Sequence, residues 1–274
     1  MPVQTRPENN FCKFHFVFRN KSILISEEKK LPSDDDLKKI ISTGSAEDWF
    51  SESDKGYTAF MLKEDAPLPQ NFTLIPLRQF FWETKDASQK NAFIPSDEAN
   101  LSARAHSLLC QRKLYRLCPS CGTELIDDEN FTARKCPSCG QLFFPRIEPA
   151  VIVLVNRGEE ILLVKNRLRN EFWSCVAGFV EQGESIEQTV EREVLEETGI
   201  TIKNVVYRGS QSWPFPDQLM LAFTAEYKSG EIKIQEDELE DASWFKRDNL
   251  PVLPKHGSVA YNLIHGIKCS SQNI

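Results

Sequence analysis

Short apolar runs punctuate the chain, and their period changes from one region to the next. Residues 14–18 (FHFVF) and 22–25 (SILI), set apart by polar residues, predict strands of a small α+β domain. Residues 97–112 carry Ala103, His106 and Leu109 at helical spacing and predict a helix; the polar stretch 83–91 before it predicts a loop. Beyond residue 146 the pattern turns β-rich. Residues 149–155 and 160–164 predict a hairpin turning at Arg157-Gly158. Residues 201–207, 219–227, 231–235 and 243–245 predict further strands, and 258–267 a closing helix. Between hairpin and strands, residues 185–198 predict a helix with an apolar stripe of Ile186, Val190 and Val194. Ser185 and Gln188 form a capping-box pattern at its start, and Gly199 stands where a C-terminal cap belongs. The expected organisation is an N-terminal α+β domain over 1–113, a small ribbon over 114–145, and an α/β sandwich with a mixed sheet over 146–274.

The helix over 185–198 has a second face. At 100° per residue, Glu193, Glu196 and Glu197 fall within an arc of roughly 100°. Three carboxylates on one side repel one another unless a cation sits among them. The apolar stripe beside Glu193 and Glu197 implies that both are partly desolvated. Oxygen donors in such a cluster suit hard divalent cations, with Mg²⁺ or Mn²⁺ the natural candidates.

Eight cysteines occur, and four of them form two copies of CPSCG: Cys118 and Cys121, then Cys136 and Cys139. Each CxxC turn aims two sulfurs at one point, and the glycine that follows permits the next turn. Two such knuckles supply four thiolates for one tetrahedral Zn²⁺, a closed structural site with no open position for catalysis. A ribbon this small has no core of its own, so the metal stabilises it. The other four cysteines are scattered, which does not read as a secreted disulfide framework.

Composition narrows the partners. The net charge is −7, so no global basic field draws nucleic acid. An acidic chain that handles anionic phosphates needs metal ions and local Arg or Lys. Hydrophobic residues at 41% and charged residues at 27% give an ordinary globular balance. No run of 18 apolar residues and no basic-then-apolar N-terminal segment is visible, so a cytoplasmic location is expected.

The order Gly178, five residues, Glu184, seven residues, then Arg192-Glu193-Val194-Leu195-Glu196-Glu197-Thr198-Gly199-Ile200 resembles the Nudix box at every motif position. That resemblance implies a mixed sheet between helices and a metal-dependent hydrolase of nucleoside diphosphates linked to another group. Downstream lies Ser210-Gln211-Ser212-Trp213-Pro214-Phe215-Pro216-Asp217-Gln218. Two aromatics locked by prolines make a rigid surface suited to a flat ring; the alternative, a loop whose Trp and Phe plug the core, stays open. Together with the box and the four-Cys ribbon, this segment is similar to the SQPWPFPxS motif of the NADH pyrophosphatases, Nudix enzymes some of which remove NAD caps from RNA. Here Ser212 replaces Pro and Gln218 replaces the final Ser.

The resemblance implies the following roles. Glu193, Glu196, Glu197, Glu238 and the Ala177 carbonyl hold two or three Mg²⁺ or Mn²⁺ ions. Glu184, Arg192, Glu193, Glu196 and Glu197 form the catalytic set, with Arg192 positioning a box glutamate and the general base open among Glu184, Glu196, Glu197 and Glu238. Gln211, Ser212, Trp213, Pro214, Phe215, Pro216, Asp217 and Gln218 line the substrate pocket. Phe144 and Phe179 stack on a base, Arg78 contacts substrate, and Ala260 offers a backbone contact. The expected substrates are NADH or NAD⁺, cleaved to nicotinamide mononucleotide and AMP, or NAD-capped RNA; the expected assembly is a homodimer. Preference for ADP-ribose, or a non-catalytic NAD-binding or zinc-ribbon module, are the competing readings.

Overall fold

The computed structural model describes residues 12–83, 96–168, 171–215 and 217–267. They fall into two compact units, divided between Arg146 and Ile147.

The first unit opens with β1 (Phe14–Arg19), β2 (Ser22–Ser26), α1 (Asp34–Ser42), β3 (Ala46–Glu52), β4 (Tyr57–Leu62), β5 (Phe72–Pro76), α2 (Leu77–Glu83) and α3 (Asp97–Leu114). The five strands form one sheet in the order β3-β4-β1-β2-β5, with β1 and β4 parallel and the other pairs antiparallel. Alternation sorts the side chains to two faces. Val17, Leu24, Phe60 and Leu62 pack with Leu37 and Ile40 of α1. The expected strands over 14–18 and 22–25 and the helix from Asp97 are present. Most of the expected loop over 83–91 lies outside the described residues.

Three two-residue strands continue this unit: β6 (Ile126–Asp127), β7 (Arg134–Lys135) and β8 (Leu142–Phe143). A small buried apolar cluster here is Cys118, Leu125 and Cys136, flanked by Tyr115 and Phe143. Gly122 and Gly140, at φ 73° and 76°, return their N–H groups to the carbonyls of Cys118 and Cys136. Arg112 of α3 bonds Asp48 of β3 at 2.8 Å and also pairs with Asp127 of the ribbon, which Arg134 shares.

The second unit holds β9 (Glu148–Arg157), β10 (Glu160–Asn166), β11 (Val176–Phe179), α4 (Ile186–Thr198), β12 (Thr201–Trp213), β13 (Gln218–Ser229), β14 (Leu239–Lys246) and α5 (Val259–Ile264). The sheet runs β12-β13-β9-β10-β14, and β9 and β13 are its parallel pair. On one face Val151, Val153, Val155, Leu162 and Val164 meet Val190 and Val194 of α4. On the other, Ala150, Ile152, Leu154, Ile161 and Leu163 meet Val259, Ala260, Leu263 and Ile264 of α5. This is the expected α/β sandwich with a mixed sheet.

Three details differ from the expectation. β9 and β10 pair only from Glu160↔Arg157 to Leu162↔Val155 and then part, and β11 fills the gap by pairing with residues 150–153 of β9. Residues 231–235 alternate like a strand but are not one. Their donors go to the end of a helix instead, Lys233 N–H to the Thr198 carbonyl at 2.9 Å and Gln235 N–H to the Glu197 carbonyl at 3.1 Å. The closing helix is shorter than 258–267, because Ser258 is its N-cap and His265 its C-cap.

Candidate active site

Helix α4 is fixed at both ends by its own sequence. The Ser185 hydroxyl accepts from Gln188 N–H, and the Gln188 side chain accepts from Ser185 N–H at 2.8 Å. Gly199 ends the helix in the left-handed conformation, at φ 71°, and donates to the Leu195 carbonyl. The buried stripe Val190 and Val194 then holds one face to the sheet, which leaves Glu193 and Glu197 at the boundary of the core. Both are buried, while Glu196 is exposed.

Arg192 ties this helix to the loop before it. Its Nε and Nη2 donate to the two oxygens of Glu184 at 2.6 and 3.0 Å, Nη1 reaches Glu193 at 2.9 Å and Glu196 at 3.0 Å, and Nη2 also donates to the Phe179 carbonyl at 2.9 Å. Glu184 additionally accepts from the Thr189 hydroxyl at 2.8 Å and from Glu181 N–H at 3.2 Å. The Arg192 guanidinium, followed by those two donors, holds the Glu184 carboxyl down at about 2 against a smaller opposing effect of desolvation.

Glu197 is the opposite case. Burial first, then the charges of Glu193 and Glu238, push its carboxyl up to about 8. Among the described residues its carboxylate has no hydrogen-bond partner. Glu193 is also raised, chiefly by burial, although Arg192 opposes the shift. Glu238 joins from the turn before β14, where its N–H donates to the Gln235 carbonyl at 3.1 Å. Two buried carboxylates repelled by each other and by the exposed Glu238 match the needs of hard divalent cations. Among the described residues, only the four cysteines bring donor atoms of three or more His, Cys, Asp or Glu side chains within 4.8 Å of one another. The glutamates stand wider apart, with Glu193 and Glu196 both drawn toward Arg192.

β11 completes this edge. Ala177 and Gly178 pair with Ile152 and Val151 of β9, and an added Cβ on Gly178 would lie 1.9 Å from the Glu193 carboxyl carbon. Only glycine leaves the Glu193 carboxylate room to stand where it does. Gly178→Ala is expected to displace the Glu193 carboxylate rather than the backbone, since that carboxylate is the end of a flexible side chain. A shift near 1 Å would lower kcat/KM by about 100-fold. Steady-state kinetics at saturating Mn²⁺ checks this, and an unchanged kcat/KM would show that the close approach is unimportant.

The aromatic segment is a hairpin. Gln211, Ser212 and Trp213 end β12, paired with Met220, Leu219 and Gln218 of β13. Pro214 is buried, and Asp217 accepts from Glu148 N–H. Trp213 and Phe215 are half-buried and meet edge to face, with centroids 5.6 Å apart. Trp213 also packs against the core cluster under α5, so part of it does plug the core. Pro216 lies outside the described residues. The Gln211 amide accepts from Val259 N–H at 2.8 Å and donates to the Gly257 carbonyl at 3.0 Å, which ties the hairpin to the start of α5 beside Ala260. Phe179 is exposed. In the first unit, Arg78 is exposed on α2, and Phe144 is exposed and edge-on to Phe131 at 5.8 Å.

In the ribbon, Cys118 and Cys139 sulfurs lie 3.7 Å apart and those of Cys121 and Cys136 3.5 Å. A tetrahedron of Zn–S bonds near 2.3 Å has edges of about 3.8 Å, close to these two separations, and all four sulfurs lie within 4.8 Å of one another.

The Nudix-domain family model matches residues 146–266. The NAD-capped RNA hydrolase NudC of Pseudomonas aeruginosa is 43% identical over 77% of this chain and 73% of its own length. The chain belongs to this Nudix hydrolase family. The same-named protein of Chromobacterium violaceum is 48% identical over 62% of this chain, and the match spans 65% of its length, just under two thirds. A Nudix hydrolase structure from Nitrosomonas europaea aligns at 21% identity and a TM-score of 0.43, over 55% of this chain and 90% of that one. Nudix hydrolases use divalent metals. Among the described residues no helix is long and apolar enough to cross a membrane.

Sequence reasoning did not single out Thr189 and Glu181, which help Arg192 hold Glu184, or Gln235, which bonds both Glu197 and Glu238. Glu184 lies before the N-cap Ser185, so its bond to Thr189 depends on the path of the loop and carries no helical-spacing signal. Gln235 carries none, since its contacts arise from the path of the chain after β13.

Proposed function

We propose that this Nudix hydrolase cleaves the pyrophosphate of NADH or NAD⁺ to nicotinamide mononucleotide and AMP, and acts on the same linkage in NAD-capped RNA. The observation that carries the reading is the pair of buried carboxylates Glu193 and Glu197, with the charge of exposed Glu238 acting on them, in a chain that also carries the aromatic-proline hairpin and matches the NudC relatives over most of its length. The assigned ions are Mg²⁺ or Mn²⁺ in two or three positions at that edge, and one structural Zn²⁺ on Cys118, Cys121, Cys136 and Cys139. A cytoplasmic homodimer, and the division at 1–113, 114–145 and 146–274, complete the reading.

Divalent cations, when bound, neutralise the diphosphate and acidify the attacking water. The chain's own residues divide the remaining work. Glu184, with both oxygens engaged and its carboxyl held near 2, serves as the anchor of the loop, and Arg192 as the clamp on that anchor. Proton acceptance falls to Glu196, Glu197 and Glu238, which act as one coupled set. Trp213 and Phe215 offer a rigid aromatic edge to a flat ring, Phe179 an exposed one, and Phe144 and Arg78 the further contacts expected from the family pattern. In the first turn of α5, the Val259 and Tyr261 N–H groups are taken by Gln211 and Ser258, which favours the Ala260 amide as the free backbone donor.

The test is product chromatography with Mn²⁺ and a panel of NADH, NAD⁺, ADP-ribose and NAD-capped RNA. Preference for ADP-ribose, or no turnover, would overturn the assignment. Trp213→Ala sharpens it. Lost stacking of about 1–3 kcal/mol should lower kcat/KM for NADH by roughly five- to more than a hundred-fold relative to a small generic diphosphate. An unchanged ratio with a lower melting temperature would leave Trp213 as a core residue only.

A further inference from the structure

Residues 230–235 form a strap between the end of β13 and the turn that carries Glu238. Its start is fixed by close backbone contact: an added Cβ on Gly230, at φ +106°, would lie 2.6 Å from the Gly199 carbonyl oxygen. The Tyr227 hydroxyl donates to the Gly230 carbonyl at 2.8 Å. Ile232 and Ile234 then pack on the core beneath α4. Lys233 N–H and Gln235 N–H satisfy the Thr198 and Glu197 carbonyls, which α4 leaves open at its C-terminus.

Gln235 is where this strap meets the carboxylate edge. Its N–H is bonded to the backbone of Glu197. Its carbonyl accepts from Glu238 N–H at 3.1 Å and Leu239 N–H at 2.9 Å, and its side-chain amide donates to Glu238 Oε1 at 3.4 Å. One residue thus fixes Glu238 in register with Glu197 through three different groups. The amide engages one of several acceptor positions on the Glu238 carboxylate and leaves the rest for an ion. We propose that Gln235 is a positioning residue for the divalent-metal site: it presents the Glu238 carboxylate to Glu197 and thereby sets affinity for the ion they share. The inference rests on the reading of Glu238 as a metal ligand. Without the amide, an arriving ion must itself order the Glu238 side chain, and that loss of freedom weakens binding.

The experiment is a substrate-free Mn²⁺ titration followed by electron paramagnetic resonance. It uses zinc-replete protein freed of loosely held divalent ions by gel filtration. Gln235→Met keeps the volume and the backbone bonds but removes the amide; Gln235→Ala removes the side chain; Glu238→Gln tests the parent reading. Both Gln235 variants are expected to weaken the lowest-affinity Mn²⁺ site by about tenfold, with Glu238→Gln weakening it at least as much. The ion-free melting temperature of Gln235→Met should stay within about 2 °C of the wild type. If Glu238→Gln shifts the isotherm and neither Gln235 variant does, Gln235 plays no positioning role. A lower melting temperature with an unchanged isotherm makes it a purely structural cap and also overturns the proposal. An isotherm untouched by Glu238→Gln removes the metal-ligand reading and this inference with it.

Discussion

Glu197→Gln is expected to lower kcat by roughly 10³- to 10⁵-fold, a loss of about 4–7 kcal/mol of transition-state stabilisation, while the fold persists. The variant keeps the size of a side chain that is 3% exposed and removes only its charge. Stability should move the other way. With its carboxyl raised to about 8, folded Glu197 keeps a proton that the unfolded chain releases above about 4.5. The stability this contributes is complete below pH 4.5 and lost as pH rises toward 8. Glu193, also raised, adds to the same slope, whereas Glu184, held near 2, contributes stability above about 4.5 that is lost as pH falls toward 2. Protein without Mn²⁺ should therefore melt at the same or a higher temperature at pH 8 when Glu197 is Gln. Saturating Mn²⁺ should raise the melting temperature of the wild type far more than that of the variant. Near wild-type hydrolysis of NADH by Glu197→Gln would remove Glu197 from the catalytic set.

Cys136→Ser should have the largest effect on stability. Cys136 is fully buried in a small cluster with Cys118 and Leu125, flanked by Tyr115 and Phe143. Such a core is far too small to hold three two-residue strands, whereas a four-thiolate zinc site contributes about 10–16 kcal/mol in small zinc domains. Loss of one ligand is expected to drop zinc well below one per chain and to lower the melting temperature by more than about 10 °C. The Arg112–Asp127–Arg134 network would loosen with the ribbon, because Asp127 sits on β6. Elemental analysis and calorimetry read both effects. Cys136→Ser with full zinc and an unchanged transition would refute a structural metal here.

The parts of the site governed by local rules were legible in the sequence. The capping box at Ser185, the αL cap at Gly199 and the apolar stripe between them define α4 without reference to the rest of the chain. The duplicated CPSCG defines the cysteine cluster in the same way. What could not be read depends on distant pairing. Val176–Phe179 became a strand because β9 and β10 splay, a fact recorded nowhere near residue 176. Residues 231–235 show true strand alternation, since Ile232 and Ile234 do face the core, yet their N–H groups found helix carbonyls rather than a strand. In the first unit, α1 was missed although Ser33 and Asp36 make a capping box at its start; its nine residues are too few for a persuasive period.

Arg192 divides the helix between two kinds of support. On one side, Glu184, Thr189, Glu181 and the Phe179 carbonyl lock the glycine loop using groups of the chain alone. On the other, Glu193, Glu197 and Glu238 repel one another, with Glu193 only partly offset by Arg192 and Glu197 holding its proton to about pH 8. The loop thus has its shape before any ion arrives and keeps it after one departs. Binding and release of a divalent ion at that flank would then be a local event, with no refolding of the loop between turnovers.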